Sequence, residues 1–445
     1  MALDRRRFLS GLTAAAAGGA LLPFRGVNAA GAALVSPGGE VDWRAVRAEF
    51  DLDPRWIHLS SFFLVSHPRP VREAIERWRF KIDRNPLDLE EMLFAPGHEH
   101  PLEDSKAALA EYLGGRPEEI ALTPNTTTGL ALVYHGLALG RGDEILTTEH
   151  DHYSHHESIR LAAEKSGAAV RFVALHDGSA RADESEMAAR LRRAITPRTR
   201  AVGLTWVHSS TGLKLPIPAL AEAVRDANRG RVEAERCVLV VDGVHGFGAA
   251  AEEAAGLGAD FFVAGTHKWL FGPRGTGLIW ARRDNWRRLR PTIPTFDSTV
   301  PYGAWMRRQP PPPTEASFVS PGGFVAYEHF FGLVEAVRFH HRLGRDRVAA
   351  RIAELNGHLR RELARMPRVR LHTPLDPRLA AGIVCFEIEG LDPDAAVERL
   401  RARRILATSS PYAVSYVRLA AGIMNAPEEV EEALRAVRAV AARSA

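Results

Sequence analysis

Two cysteines in 445 residues set the first limit: Cys237 and Cys385 can form one bridge at most, so no disulfide framework holds this chain together. Both stand inside apolar, strand-like runs, RCVLVVD and GIVCFEIEG, which predicts buried and inert thiols. Long hydrophobic runs are also missing. The apolar stretch near the start falls short of the ~20 residues that a membrane span needs, and no later segment reads as transmembrane. Neither sign of charge dominates, with 58 Lys+Arg against 54 Asp+Glu. The charge balance therefore gives little reason to expect a nucleic-acid or membrane partner. No internal repeat is evident. What is present is ordinary globular composition, 46% apolar and 25% charged, enough to bury a sizeable core in two or more lobes.

The first 29 residues have a pattern of their own. Arg5, Arg6 and Arg7 precede Phe8-Leu9, an apolar and small-residue run covers 11–22, and Val27-Asn28-Ala29 follows. That order is the layout of a twin-arginine export signal. It predicts a signal peptide over 1–29 and a periplasmic or secreted product that is carried across the membrane already folded. Cleavage near Ala29 would remove Arg5, Arg6, Arg7 and Arg25 together with Asp4, lowering the formal charge of +4 by three.

From about residue 105 helical and strand patterns alternate. The strand candidates EIALTPN, DEILTTEH, AAVRFVAL, TRAVGLTWVH, CVLVVDG and DFFVAGTH are near-continuously apolar and are separated by helical segments. Such strands predict a largely parallel sheet covered on both faces, with ligands at the carboxyl ends of the strands. Residues 291–323 break the rhythm, and Pro310 to Pro313 read as a loop. Beyond them lie two long helices, the strand GIVCFEIEG and two more helices, a smaller α+β domain. The expected division is a segment 30–75 packing with the small domain, a large domain 76–323 and a small domain 324–445.

Lys268 follows the strand DFFVAG, and Asp242 ends the strand CVLVVD, so both are expected at one sheet edge. A lysine amine can form a Schiff base with the aldehyde of pyridoxal 5'-phosphate. A carboxylate facing the pyridine nitrogen keeps it protonated and makes the ring an electron sink. PNTTTGL places hydroxyls and amides at a helix start, suited to a phosphate or to plain capping by Asn125 or Thr126. SSTG (209–212) ends another strand, and His245 lies three residues beyond Asp242. The glycines of GPRGTG lack dinucleotide spacing and are read as shaping a tight turn. His150, His152, His155 and His156 invite a metal reading, but no companion ligand pattern supports one, and no metal site is assigned.

VVDGVHGFG followed by AGTHKWLFGPRGTGLI resembles the signature of the class V aminotransferase-fold pyridoxal phosphate enzymes, which include cysteine desulfurases, isopenicillin N epimerases and kynureninases. The resemblance runs from WIHLSSFFLVSHP to the C-terminus. DGVH, SSTGL and SPGGFVAYEHF are most similar to the isopenicillin N epimerase-like branch. It implies an α/β, fold type I architecture: a mostly parallel, seven-stranded-type sheet between helices, with a smaller α+β domain. It implies Lys268 as the Schiff-base lysine and Asp242 as partner of the ring nitrogen. His267, Thr127 and Thr128 would bind the phosphate, His245 the phenolic oxygen, and Ser209 would face the ring. His150 is the best match for the ring stacked on the cofactor, with His152 and Tyr153 as rivals. Ser320 matches a loop that reaches the phosphate of a neighbouring subunit, implying a homodimer. Arg418 matches the clamp for a substrate carboxylate, although Ala420 and Met424 stand where the family pattern has Ser and Tyr.

Cysteine desulfuration needs a nucleophilic cysteine on a loop near that arginine, and ILATSSPYAVSYVRLA contains none. The expected activity is aminotransfer or epimerisation of an amino acid. The alternatives are a carbon–sulfur lyase that needs no persulfide and, from other classes, a non-catalytic periplasmic binding protein or a His-rich metal binder.

Overall fold

The computed structural model describes residues 34–95 and 98–442. The twin-arginine segment lies outside the described residues. A two-residue strand, β1 (Ile57–His58), comes first. Seven strands then build the central sheet: β2 (Ile120–Thr123), β3 (Glu144–Thr148), β4 (Ala169–Val173), β5 (Thr199–Thr205), β6 (Val238–Asp242), β7 (Phe261–Gly265) and β8 (Gly277–Trp280). Their order is β2-β8-β7-β6-β5-β3-β4. All pairs are parallel except those of β8, which runs antiparallel to both neighbours. Every residue of β6 and β7 is buried, because helices cover both faces and leave no side of the strand for polar residues. The expected mostly parallel α/β sheet is what the chain forms.

Five strands follow: β9 (Val369–Leu371), β10 (Val384–Ile388), β11 (Ile405–Leu406), β12 (Thr408–Ser409) and β13 (Val417–Leu419). β12-β13-β10-β9 form an antiparallel sheet, and β11 pairs with β1 in parallel. Leu355, Leu359, Phe386, Leu419, Leu434 and Val437 share the core of this smaller unit. Cys385 lies on β10 and Cys237 just before β6. Both are buried, and burial pushes each thiol up to about 12. They are inert as expected.

The segment 291–323 is not all loop. Helices span Thr299–Met306 and Ala316–Val319. The first is capped by the Ser298 hydroxyl, which accepts from the Val300 amide. Pro310–Pro313 occupy the irregular stretch between them, where missing N–H donors cost nothing. Among the described residues no helix is long and apolar enough to cross a membrane.

Candidate active site

The parallel strands β5, β6 and β7 end together. Thr205 pairs with Asp242, and Asp242 with Val263, so the ends of the three strands make one shelf. A cleft of about 560 Å³ opens over it, lined among others by Thr205, Asp242, His245, Lys268 and Arg418. Asp242 is buried, and one of its oxygens accepts from the Val244 amide at 3.0 Å. Burial raises its carboxyl to about 6, against the opposing pull of the Val244 N–H and of Lys268. Lys268 keeps part of its surface open to the cleft. The protein packed around it nevertheless pushes its ammonium down to about 8, while Asp242 holds it up. Its Nζ lies 3.3 Å from Nε2 of His245.

At the other end of the cleft the helix Thr126–Gly136 begins, with Asn125 as its cap. The Asn125 side-chain oxygen accepts from the Thr128 amide at 2.8 Å, so Thr128 is engaged in the cap and is not among the residues that line the cleft. Asn125, Thr126 and Thr127 do line it. The Thr126 hydroxyl accepts from the Gly265 amide at 2.7 Å, and a Cβ at Gly265 would crowd both the His267 ring and this hydroxyl. Glycine is what lets the last residue of β7 meet the helix start. His267 also lines the cleft, and burial lowers its imidazole to about 4.

Residue 150 is placed differently from the expectation. The His150 ring stacks on His176, with centroids 4.5 Å apart and planes 8° apart, and is not among the cleft-lining residues. His152 lines the cleft instead. The cause is Asp151, which is fully buried and accepts from the hydroxyls of Thr147 and Thr148 and from the amides of Thr148 and Thr205. Anchored there, the turn sends its neighbours to different sides. His152 caps the helix Tyr153–Ser166 at the cleft, while Tyr153 is 71% exposed. Among the described residues no group of three side chains is arranged to hold a metal.

Arg418 projects from β13. Its guanidinium donates to the Thr408 hydroxyl and to the carbonyls of Ser209 and Ser409, at 3.1, 3.2 and 3.0 Å, and lies 4.4 Å over the Phe62 ring. All three acceptors are neutral, so its charge is not cancelled by a carboxylate in contact. Ala420 and Met424 are buried in the apolar cluster that includes Phe62, so the departures from the family pattern are absorbed in packing behind the clamp. The Ser209 hydroxyl lines the cleft and pairs with the Tyr412 hydroxyl at 2.7 Å. The segment ILATSSPYAVSYVRLA shows Tyr412 only as a tyrosine before Arg418; nothing in its local pattern indicates that it meets Ser209, 203 positions away. Ser320 is elsewhere in this chain. Its hydroxyl accepts from the Leu122 amide and donates to Asp297, beside a separate crevice with Phe296 and Tyr327.

The cleft can be tested for fit to pyridoxal phosphate. Nδ1 of His245 and Nδ1 of His267 are buried without a partner among the described residues, which native interiors seldom tolerate unless something else satisfies them. Helix-start amides, a proton-holding carboxylate and a lysine near neutrality share one cavity. The donor set fits an anionic, aldehyde-bearing aromatic cofactor.

Such a fold, with a lysine facing a buried carboxylate at the strand ends, defines a pyridoxal-phosphate-dependent enzyme. The model of the aminotransferase class-V family matches residues 94–432, and the chain belongs to that family. Isopenicillin N epimerase of Streptomyces clavuligerus is 28% identical over 415 residues, covering 90% of this chain and 98% of the relative. A probable cysteine desulfurase of Xylella fastidiosa is 28% identical over 378 residues, 82% of this chain and 84% of the relative. Two solved structures share the fold. The cystine C–S lyase C-DES, in complex with cysteine persulfide, has a TM-score of 0.76 at 24% identity and covers 86% of this chain and 98% of its own. The apo cysteine desulfurase of Thermococcus onnurineus NA1 has a TM-score of 0.75 at 23% identity, covering 89% and 97%.

Proposed function

We propose that this enzyme breaks a carbon–sulfur bond at Cβ of an amino acid and releases the sulfur product without passing it to a protein thiol. The observation that carries this is a cleft holding the Lys268 amine and the unpaired charge of Arg418 with no thiol on its wall. Cys237 and Cys385 are both buried, and the loop beside Arg418 offers Tyr412 in place of a cysteine. The relatives and solved structures are mostly cysteine desulfurases or C–S lyases, which favours carbon–sulfur cleavage over the aminotransfer or epimerisation expected from sequence.

Thr126, Thr127 and His267 would hold the cofactor phosphate, and Asp242 would hold a proton at the ring nitrogen. Pyridoxal phosphate, when bound, supplies the electron sink for charge that develops at Cα. Arg418 grips the α-carboxylate as a two-pronged donor. Lys268, near neutrality at about 8, is matched to take the Cα proton in neutral solution. His152 covers the cleft from the side of the turn after β3.

Epimerisation is the second reading. It is favoured by the near full-length match to the epimerase and by His152 and Lys268 lining one cleft, which offers two proton-transfer groups. The homodimer implied by the Ser320 loop and export by the twin-arginine route belong to the same proposal.

The test is direct. The protein is loaded with pyridoxal phosphate, reduced with borohydride and digested, and Lys268 is expected to carry the label. The unreduced holoenzyme given L-cystine in deuterated water should yield pyruvate, ammonia and cysteine persulfide. Inverted, deuterated amino acid without pyruvate would establish epimerisation instead, and no label at Lys268 would overturn both readings.

A further inference from the structure

Ser209 joins two groups at the cleft. Its carbonyl accepts from Arg418 at 3.2 Å and its hydroxyl meets the Tyr412 hydroxyl at 2.7 Å. In an amino acid the carboxylate and the Cβ substituent are held apart by Cα and Cβ alone. A substrate whose carboxylate sits on Arg418 therefore presents its Cβ substituent within a short reach of whatever neighbours the clamp. The Ser209 hydroxyl is such a neighbour, lining the cleft, and behind it stands Tyr412, whose phenol reaches the cleft through that hydroxyl. Its ring also stands edge-on to His152, centroids 6.1 Å apart.

The loop that carries Tyr412 is tied rather than loose. The Ser410 amide donates to the Tyr416 carbonyl at 2.8 Å, the Tyr416 amide to the Ser410 hydroxyl at 2.9 Å, and the Ser415 hydroxyl to the Ser410 carbonyl at 2.7 Å. The Tyr416 ring stacks on His372 at 3.7 Å. A phenol on so closed a loop is pre-placed, which is how a group serves a reaction without moving. Burial raises the Tyr412 phenol above its ordinary value, opposed by the Ser209 hydrogen bond and by Arg418. The hydroxyl therefore keeps its proton in neutral solution.

We propose that the Ser209–Tyr412 hydroxyl pair is the acid for the departing group: the Ser209 hydroxyl, which lines the cleft, hydrogen-bonds the leaving atom on Cβ and gives it a proton as the bond breaks, and Tyr412 replaces that proton. The substrates are then α-amino acids bearing a heteroatom leaving group at Cβ, poor leaving groups included. Lys268 takes the Cα proton, and the Cα–H electron pair forms the Cα=Cβ bond. The Cβ–S pair leaves with sulfur, sulfur receives the Ser209 proton, and Tyr412 gives its own to Ser209. Solvent then returns a proton to the phenolate, and Lys268 gives up its own, so nothing is oxidised or reduced. This assignment rests on the elimination reading above.

The two are separated by one leaving-group series. The holoenzyme and Tyr412→Phe are given S-methylcysteine, whose thiolate is basic, and S-nitrophenylcysteine, whose thiolate leaves unaided. We expect kcat of Tyr412→Phe to fall on the order of a hundredfold with S-methylcysteine and hardly at all with S-nitrophenylcysteine. KM and the affinity for L-alanine, read from the shift of the visible band, stay unchanged. Equal falls for both substrates, or a change confined to KM, would overturn the role of Tyr412 while leaving elimination intact. No elimination of either substrate by the unmodified enzyme would overturn the elimination reading and this assignment together. Should the phenylalanine variant fail to fold, replacing tyrosine by fluorotyrosine lowers the phenol pKa and keeps the hydroxyl. The kcat of that protein with S-methylcysteine then changes while that with S-nitrophenylcysteine does not, and a kcat unchanged with both overturns the assignment.

Discussion

Lys268 owes its chemistry to two opposed neighbours. Burial pushes its ammonium down to about 8, and the Asp242 carboxylate holds it from falling further. Only the neutral amine attacks an aldehyde, so capture of pyridoxal phosphate by the apoprotein should quicken as pH rises to about 8 and then level off. An ordinary lysine would keep quickening toward ~10.4. Because Asp242 raises the lysine, Asp242→Asn should move the break below that of the parent. Stopped-flow recording of the visible band checks both, and a rate still climbing at high alkalinity contradicts the first. Lys268 and Asp242 were legible in the sequence because one closely follows an apolar strand and the other ends one, and parallel sheets gather such ends at one edge. The choice between His150 and His152 was not. It depends on Asp151 being drawn into a cage of threonines, one of which, Thr205, stands 54 residues away in the chain.

At the scale of elements, the turn after β6 is the tightest piece of the site. DGVHGFG must leave the strand, present His245 and pass beneath the residues that follow Lys268. An added Cβ at Gly243 would run into the Phe262 ring, and one at Gly246 into the Trp206 ring. Gly248 has φ of +85°, and a Cβ there would stand 2.6 Å from backbone atoms of Trp269 and Leu270. Backbone cannot step aside as a side chain can. Gly248→Ala is therefore expected to cost roughly 3 kcal/mol, seen as a lower urea midpoint with the slope unchanged. A loss within measurement error would show that the turn can relax. The sequence showed this turn as a glycine-rich motif and the central strands as apolar runs. It hid β9, β12 and β13, which are two or three residues long. Runs so short carry no periodicity. It also hid the helix Thr299–Met306, because the adjacent prolines dominate the local reading.

Over the whole molecule the buried histidines set the response to acid. Burial holds His155 and His176 at about 4 and His208 and His340 at about 3, all below the ordinary 6.5 of histidine. Their folded-state values are depressed, so the unfolded chain takes up protons first as pH falls. Their contribution is present in full above 6.5 and is lost progressively below it. Asp151, lowered from 3.8 to about 2, gives its stabilising part in full above the ordinary carboxylate value and loses it progressively as pH falls from 3.8 toward 2. The urea midpoint should thus decline between pH 6.5 and 4 because of histidine, and His208→Gln should flatten that decline. A midpoint flat over this range in the parent protein would contradict the account. The same scale gives the bond from Arg418 to the Ser209 carbonyl a second meaning. Its partners are 209 positions apart in the chain, one on β13 and the other in the turn beyond β5, so the substrate clamp cannot form from any local stretch. Closing so long a loop costs entropy that only the finished packing repays. The clamp is thus a late event in folding, and a nascent chain still lacking β13 would have Lys268 without the means to hold a substrate against it.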